Sequence, residues 1–575
     1  MIQYEEHSIE ERLQYLYNRE DAKRAFIEIK FLINKYKKII QSEEYHLTQK
    51  DVILITYGNQ VIESTEAPLD SMQKFLDRYI EGVINTLHIL PFYPYSSDDG
   101  FSVANYYEVS PLLGSWREIE TIASKYRLMF DGVVNHVSRY SYWFKRFLAG
   151  DPRYKKFFID LDPSTDLTKV VRPRTSPLLT PFKDDNGELH YIWTTFSKDQ
   201  VDLNYANYEV LVKIIDVLFF YVSKGAKLIR LDAIAFMWKE IGTLCVHLQQ
   251  THELVQLFRE IIHEVAPEVV IITETNVPHD ENISYFGNGD DEAQMVYNFT
   301  LPPLLAHAIL RERADHLITW AQSLRLPSDK VCFFNFTASH DGVGMRPVSE
   351  HLPQSEIDFL VDTAETHGGF ISYRADEKGE DKPYELNINY MELLTHPDEP
   401  DSVRIKRMIL SQAVVMAMPG VPGIYFHSLV GSRNHVRGVE DTGIKRSINR
   451  QKIFWHKLKE SLDATGSLEN VVFHTMKRLL SIRVNERSFN PFGPFEFPRI
   501  HERVFTIVQM SVEGDERIVA LHNLSGGNVS LTLPEFTTHG VNLLSREEIT
   551  APDITLGPYE IAWIKFTYTT IPPKY

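Results

Sequence analysis

Arg230 and Asp232 stand two residues apart in the run 225–234, GAKLIRLDAI. Side chains alternate across a strand with period two, so both point to one face. An arginine beside a carboxylate holds it ionised and oriented, which suits a nucleophile. Three other clusters also follow short apolar runs: Asp131 with Asn135-His136 in DGVVNH, Glu274 in ITETN, and His340-Asp341 in TASHD. At one mouth, Asp232, Glu274 and Asp341 with two histidines suit retaining glycoside cleavage. That chemistry uses one carboxyl as nucleophile and a second as acid, then base, about 5 to 5.5 Å apart. A third, kept ionised, stabilises the positive charge of the oxocarbenium-like transition state. Neutral imidazoles donate on one nitrogen and accept on the other, which fits sugar hydroxyls. Metal-assisted hydrolysis draws on the same residue types, but no HExxH or clustered histidine spacing accompanies them.

For these clusters to meet, the apolar runs before them must be strands of one sheet. The pattern predicts strands at 51–57, 84–90, 128–134, 226–231, 269–273, 294–299, 331–338 and 420–426. Helices are expected at 69–80, 115–125, 210–223, 251–266 and 403–418. This alternation predicts an α/β chain built on a (β/α)8 TIM barrel, whose active-site residues lie at the C-terminal ends of the strands. Polar stretches with weak periodicity interrupt it after the third and seventh strands. The expected organisation is a helical extension at 1–48, barrel segments at 49–137, 209–341 and 403–489, insertions at 138–208 and 342–402, and a C-terminal β domain without helices at 490–575.

A net charge of −18 with no long basic run argues against nucleic-acid partners. The 575 residues include 43% hydrophobic and 24% charged residues, ordinary for a soluble globular chain. No apolar run approaches the roughly 18 residues of a membrane span. Cys245 and Cys332 make no disulfide framework, and the acidic N-terminus does not resemble a secretion signal. These features lead us to expect a cytoplasmic protein with small-molecule partners only, as a monomer or homodimer.

The four blocks, in this order, resemble the signature regions of the α-amylase superfamily, glycoside hydrolase family 13. The resemblance implies Asp232 as nucleophile, Glu274 as general acid/base and Asp341 as transition-state stabiliser. It also implies that Arg230 positions the nucleophile while His136 and His340 contact the bound sugar. The stretch LHILPFYPYSSDDGFSVANYYEV is similar to the sucrose-phosphorylase branch. By that match Asp98 bonds distal glucose hydroxyls, Phe101 stacks on the ring, and an arginine of RSINR pairs with Asp98: Arg450, with Arg446 as the alternative. A pocket sealed in this way takes one terminal glucose. Calcium occurs in the superfamily near the position of Asn135, but this branch does without it, so no metal and no cofactor are expected.

Those phosphorylases have a histidine where Asn276 stands here. RPRTSPLLTPF, RLDAIAFMWKEIG and TETNVPH are together similar to a sister group, the glucosylglycerate phosphorylases. Prolines stiffen the loop that carries Arg172 and Arg174, whose guanidiniums suit phosphate or carboxylate. The resemblance therefore implies phosphorolysis of an α-glucoside with inorganic phosphate as co-substrate. Arg172, Arg174, Asn276 and His367 are the expected acceptor or phosphate contacts, with 367–370 as a mobile loop. Sucrose or sucrose 6′-phosphate phosphorolysis, plain hydrolysis or transglucosylation, and a catalytically inactive binding barrel remain open alternatives.

Overall fold

Eight short strands carry the architecture: β1 Ile53–Thr56, β2 Thr86–Ile89, β3 Arg127–Gly132, β4 Ala226–Leu231, β5 Val270–Thr273, β6 Met295–Tyr297, β7 Cys332–Asn335 and β8 Val421–Tyr425. In this computed structural model, which describes residues 6–174, 176–375, 381–533 and 539–568, they form a closed barrel. Each strand pairs in parallel with its sequence neighbours, and β1 closes on β8. Nearly every strand residue is buried, the pattern of a parallel sheet covered on both faces. All eight strands fall within a few residues of the expected runs. The seventh is shorter than expected, because the chain leaves the ladder after Asn335.

Local chemistry sets the helices between them. Ser115 caps helix Trp116–Ala123 in a reciprocal box with Glu118, satisfying backbone donors that would otherwise be orphaned. The run expected as one helix at 69–80 is an α-helix, Pro68–Phe75, that widens into a π turn at Leu76–Ile80. Two N-terminal helices, α1 Glu6–Leu16 and α2 Arg19–Tyr36, dock on the barrel's outer layer. The Tyr17 hydroxyl donates to Tyr205 O at 2.9 Å, and Lys35 pairs with Asp216 at 3.1 Å.

After β3 the chain makes helix Tyr142–Leu148 and an antiparallel hairpin, Leu179–Lys183 with Leu189–Trp193. Strand His136–Ser138 pairs with Gln200–Asp202, so this excursion leaves and returns beside His136. After β7 come helix Gln354–Thr366 and a second hairpin, Phe370–Ala375 with Asp381–Asn387. From residue 490 onward the described residues form strands and no helix, in a six-stranded sheet centred on Val504–Met510, Glu516–Asn523 and Ile561–Thr567. No helix among the described residues is long and apolar enough to cross a membrane.

Candidate active site

The barrel ladder sets the height of the site. Asp131 on β3 lies opposite Arg230 on β4, and Arg230 lies opposite Ile272 on β5. Just past the ladder, Asp232 N–H donates to Gly132 O at 3.1 Å and Glu274 N–H to Leu231 O at 3.2 Å. Asp131, Arg230, Asp232 and Glu274 thus emerge side by side. Ala233 turns the chain sharply with φ +52°, a left-handed conformation that costs a non-glycine residue about 1 kcal/mol. That turn aims the Ala233 N–H at Glu274 Oε2, 3.2 Å away.

Arg230, 2% exposed, is the electrostatic centre. Its Nη1 donates to Asp131 and, at 3.0 Å, to Asp232 Oδ1, while Nη2 stands 3.8 Å from Glu274 Oε2. Burial pushes both carboxyls up, Glu274 to about 7 and Asp232 to about 6, against the pull of the guanidinium. Because Arg230 touches Asp232 but not Glu274, Asp232 releases its proton first. Near neutral pH the arrangement favours an ionised Asp232 beside a Glu274 that still carries a proton. Asp341 behaves in the opposite way. Burial works to raise it, but the guanidiniums of Arg446 at 2.6 Å and of Arg450 hold it well below the usual carboxylate range. It stays ionised.

These three carboxylates line a cavity of about 830 Å³, together with Asp98, Phe101, His136 and His340. Asp98 and Asp99 both adopt left-handed backbone, with φ +52° and +51°, and Arg450 Nη1 lies 3.6 Å from Asp98 Oδ1. Arg450 Nε also donates to His340 O at 2.8 Å, so it braces two walls at once. Arg446 takes Asp341 and bonds Glu385 through Nε and Nη2 at 3.1 and 3.0 Å. Phe101 is itself stacked on the His340 ring, with centroids 4.6 Å apart. The His136 Nε2–H donates to Phe101 O at 2.9 Å, fixing the tautomer. Burial lowers the proton affinity of both His136 and His340, keeping them neutral.

The chain matches the family described as "Alpha amylase, catalytic domain" over residues 73–331. It is 43% identical over 529 residues to "Glucosylglycerate phosphorylase" of Escherichia coli (strain K12), covering 92% of this chain and 94% of that one. The like-named protein of Spirochaeta thermophila is 44% identical, with 96% and 97% covered. The chain belongs to the α-amylase family. Its place is in the branch that holds those phosphorylases. The solved structure of sucrose 6F-phosphate phosphorylase from Thermoanaerobacter thermosaccharolyticum shares the fold, with TM-score 0.74 at 22% identity over 88% of this chain and 98% of that one.

In this α-amylase-family chain the expected acceptor residues separate. Asn276 and Arg174 line the cavity. Asn276 packs against Gly344, where a Cβ would meet its Oδ1 at 2.6 Å and push the amide aside. Arg172 does not line the cavity: it is exposed and its guanidinium donates to Ser176 O within its own loop. His367 is also outside it. Its Nδ1–H donates to Glu392 O and Leu393 O at 2.9 and 3.0 Å, and it ends helix Gln354–Thr366 just before left-handed Gly368, φ +82°. The expected mobile loop at 367–370 is thus a helix-ending turn at 367–369 that leads into the strand beginning at Phe370. The following hairpin reaches the cavity instead, through Ser372, Asp381, Tyr384 and Glu385.

Sequence reasoning missed several residues around the site. His88 Nε2 meets Asp131 Oδ2 at 2.7 Å behind Arg230. Tyr384 lines the wall under Arg174. Lys239, its side chain 2% exposed, reaches Asp202 Oδ2 at 2.7 Å and donates to Asn135 Oδ1 at 2.8 Å. The alternation of His88 within LHIL is the one signal that pointed inward.

Proposed function

We propose that the protein transfers an α-glucosyl group from glucosylglycerate to inorganic phosphate, releasing glycerate and α-glucose 1-phosphate. Asp232 attacks the anomeric carbon, forming an ester bond as the glycosidic C–O bond breaks. Glu274 gives its proton to the departing glycerate oxygen. Phosphate oxygen then attacks the same carbon, the ester breaks, and Glu274 takes the phosphate proton. Two inversions give net retention. Asp341, held ionised by Arg446, faces the positive charge that develops on the sugar.

The carrying observation is the unequal sharing of Arg230, 3.0 Å from Asp232 and 3.8 Å from Glu274, which separates nucleophile from acid. High identity to proteins named glucosylglycerate phosphorylase along nearly the whole chain supports the acceptor. No metal or cofactor enters this chemistry. The Lys239 ammonium bridges Asp202 and Asn135, supplying positive charge at the position where the family resemblance raises calcium. We place the enzyme in the cytoplasm as a monomer or homodimer, with 138–208 and 342–402 as subdomains inserted in the barrel. The test is incubation with α-glucosylglycerate or sucrose, with and without phosphate, following glucose 1-phosphate. The expected result is phosphate-dependent glucose 1-phosphate from glucosylglycerate. Free glucose released at the same rate without phosphate would overturn the reading.

A further inference from the structure

Arg346 lines the same cavity, and nothing in the chemistry above uses it. Backbone pairing sets its place. Strand Val343–Gly344 runs antiparallel to Asp381–Asn387, with Gly344 opposite Glu385, and Met345 N–H donates to Tyr384 O at 3.0 Å. Arg346 follows at once, within electrostatic reach of the Tyr384 hydroxyl. Arg174 lies over the Tyr384 ring, 5.0 Å from its centroid. Tyr384 in turn lies within electrostatic reach of Glu274. Two guanidiniums therefore attend one aromatic wall on the side where the acid stands, where the leaving group must lie.

The charge of Arg346 is poorly matched. Its side chain is 17% exposed, and its nearest ion-pair partner, Glu281, is 3.5 Å away, long for a hydrogen bond. Glu281 is shared with His247 Nε2 at 3.2 Å. Burial lowers the proton affinity of Arg346, Glu281 opposes this, and Arg374 nearby adds to it. Of the acidic groups on the hairpin among the described residues, Glu385 is already engaged by Arg446, which leaves Asp381. A half-buried guanidinium held by one long, shared ion pair can also take an anion that arrives with the substrate. Its planar fork matches a carboxylate with two parallel hydrogen bonds.

We propose that Arg346, with Arg174 across Tyr384, forms the carboxylate-binding wall of the acceptor site, and that Arg346 sets the preference for glycerate over its uncharged counterpart glycerol. The assignment rests on the phosphorylase reading above. The test uses α-glucosyl fluoride, an uncharged donor, with glycerate, glycerol or inorganic phosphate as acceptor. Arg346→Gln should lower kcat/KM for glycerate by about 10- to 100-fold, chiefly through KM, as expected for losing a charge-assisted bond. Glycerol and phosphate should stay within about threefold of wild type on the same principle, because neither needs that bond. Arg346→Lys should recover part of the glycerate activity and guards against a folding defect in the glutamine variant. Equal losses with glycerate and glycerol, equal losses with glycerate and phosphate, or no loss with glycerate would each overturn the assignment. Wild-type enzyme that transfers glucose to none of the three would instead overturn the phosphorylase reading, and this assignment with it.

Discussion

The floor and the rim of the cavity are built differently. The floor consists of residues at the ends of β3, β4 and β5, whose positions follow from a continuous hydrogen-bond ladder. The rim comes from three distant segments: the proline-flanked loop at Arg174, the Phe370–Ala375 and Asp381–Asn387 hairpin, and the turn carrying Arg446. On the floor, backbone geometry alone brings Asp131, Arg230, Asp232 and Glu274 together. On the rim, side chains do the joining, through Arg446 bridging Asp341 and Glu385 and Arg174 covering Tyr384. Chemistry is fixed by the former and acceptor choice by the latter, so changes in each should have separable effects.

The largest effect should come from the floor. Asp232→Asn removes the nucleophile, and turnover should fall by about 10⁴-fold or more while circular dichroism stays unchanged. A variant that keeps its rate would remove the floor from the mechanism. Next comes Lys239→Met, which leaves Asp202 buried without its cation. Breaking one half of a buried pair costs about 3–5 kcal/mol, so thermal unfolding should shift down sharply. Adding Asp202→Asn should restore most of that loss; if the double variant is no more stable than the single, the pair is not the cause.

The pH profile sharpens the electrostatic half of the comparison. Asp232 must be ionised, so kcat/KM should fall as pH drops through about 6. Glu274 must be protonated for the first step, so it should also fall as pH rises through about 7. Rates measured across pH 5 to 9 should give a narrow bell, about tenfold down per unit beyond each limb. A flat profile up to pH 9 would deny Glu274 the acid's role. The smallest effect belongs to the rim's outer edge. Arg172→Ala should change KM for phosphate and glycerate by less than about twofold, whereas Arg174→Ala should raise one of them about tenfold, in line with losing a charged contact. Equal effects would erase the distinction that the structure draws between these neighbours.

Legibility followed the same division. Arg230 and Asp232 could be read from sequence because a strand's period of two is local, and the clusters after β3, β5 and β7 follow from barrel geometry. Arg346 and Tyr384 could not, because their meeting depends on the register of Val343–Gly344 against Asp381–Asn387, about 40 residues along the chain. Lys239 was invisible for a different reason. In MWKEIG it reads as a solvated lysine, and only the return of the chain at Asp202 shows what it faces. His367 misled because a glycine pair suits a mobile loop and a helix-ending turn equally well, and the neighbouring carbonyls of Glu392 and Leu393 decide between them. The helix at 69–80 was found, but its π turn depends on packing.

The central claim is that Asp232 attacks the sugar while Glu274 supplies and recovers the proton. The most direct measurement is peptide mass spectrometry on Glu274→Gln enzyme quenched after mixing with α-glucosyl fluoride. That donor needs little help to depart, but the missing base slows release of the intermediate. One glucosyl group in ester linkage is expected on the peptide containing Asp232. A glucosyl group on Asp341, or on no carboxylate at all while the variant still turns over, would contradict it.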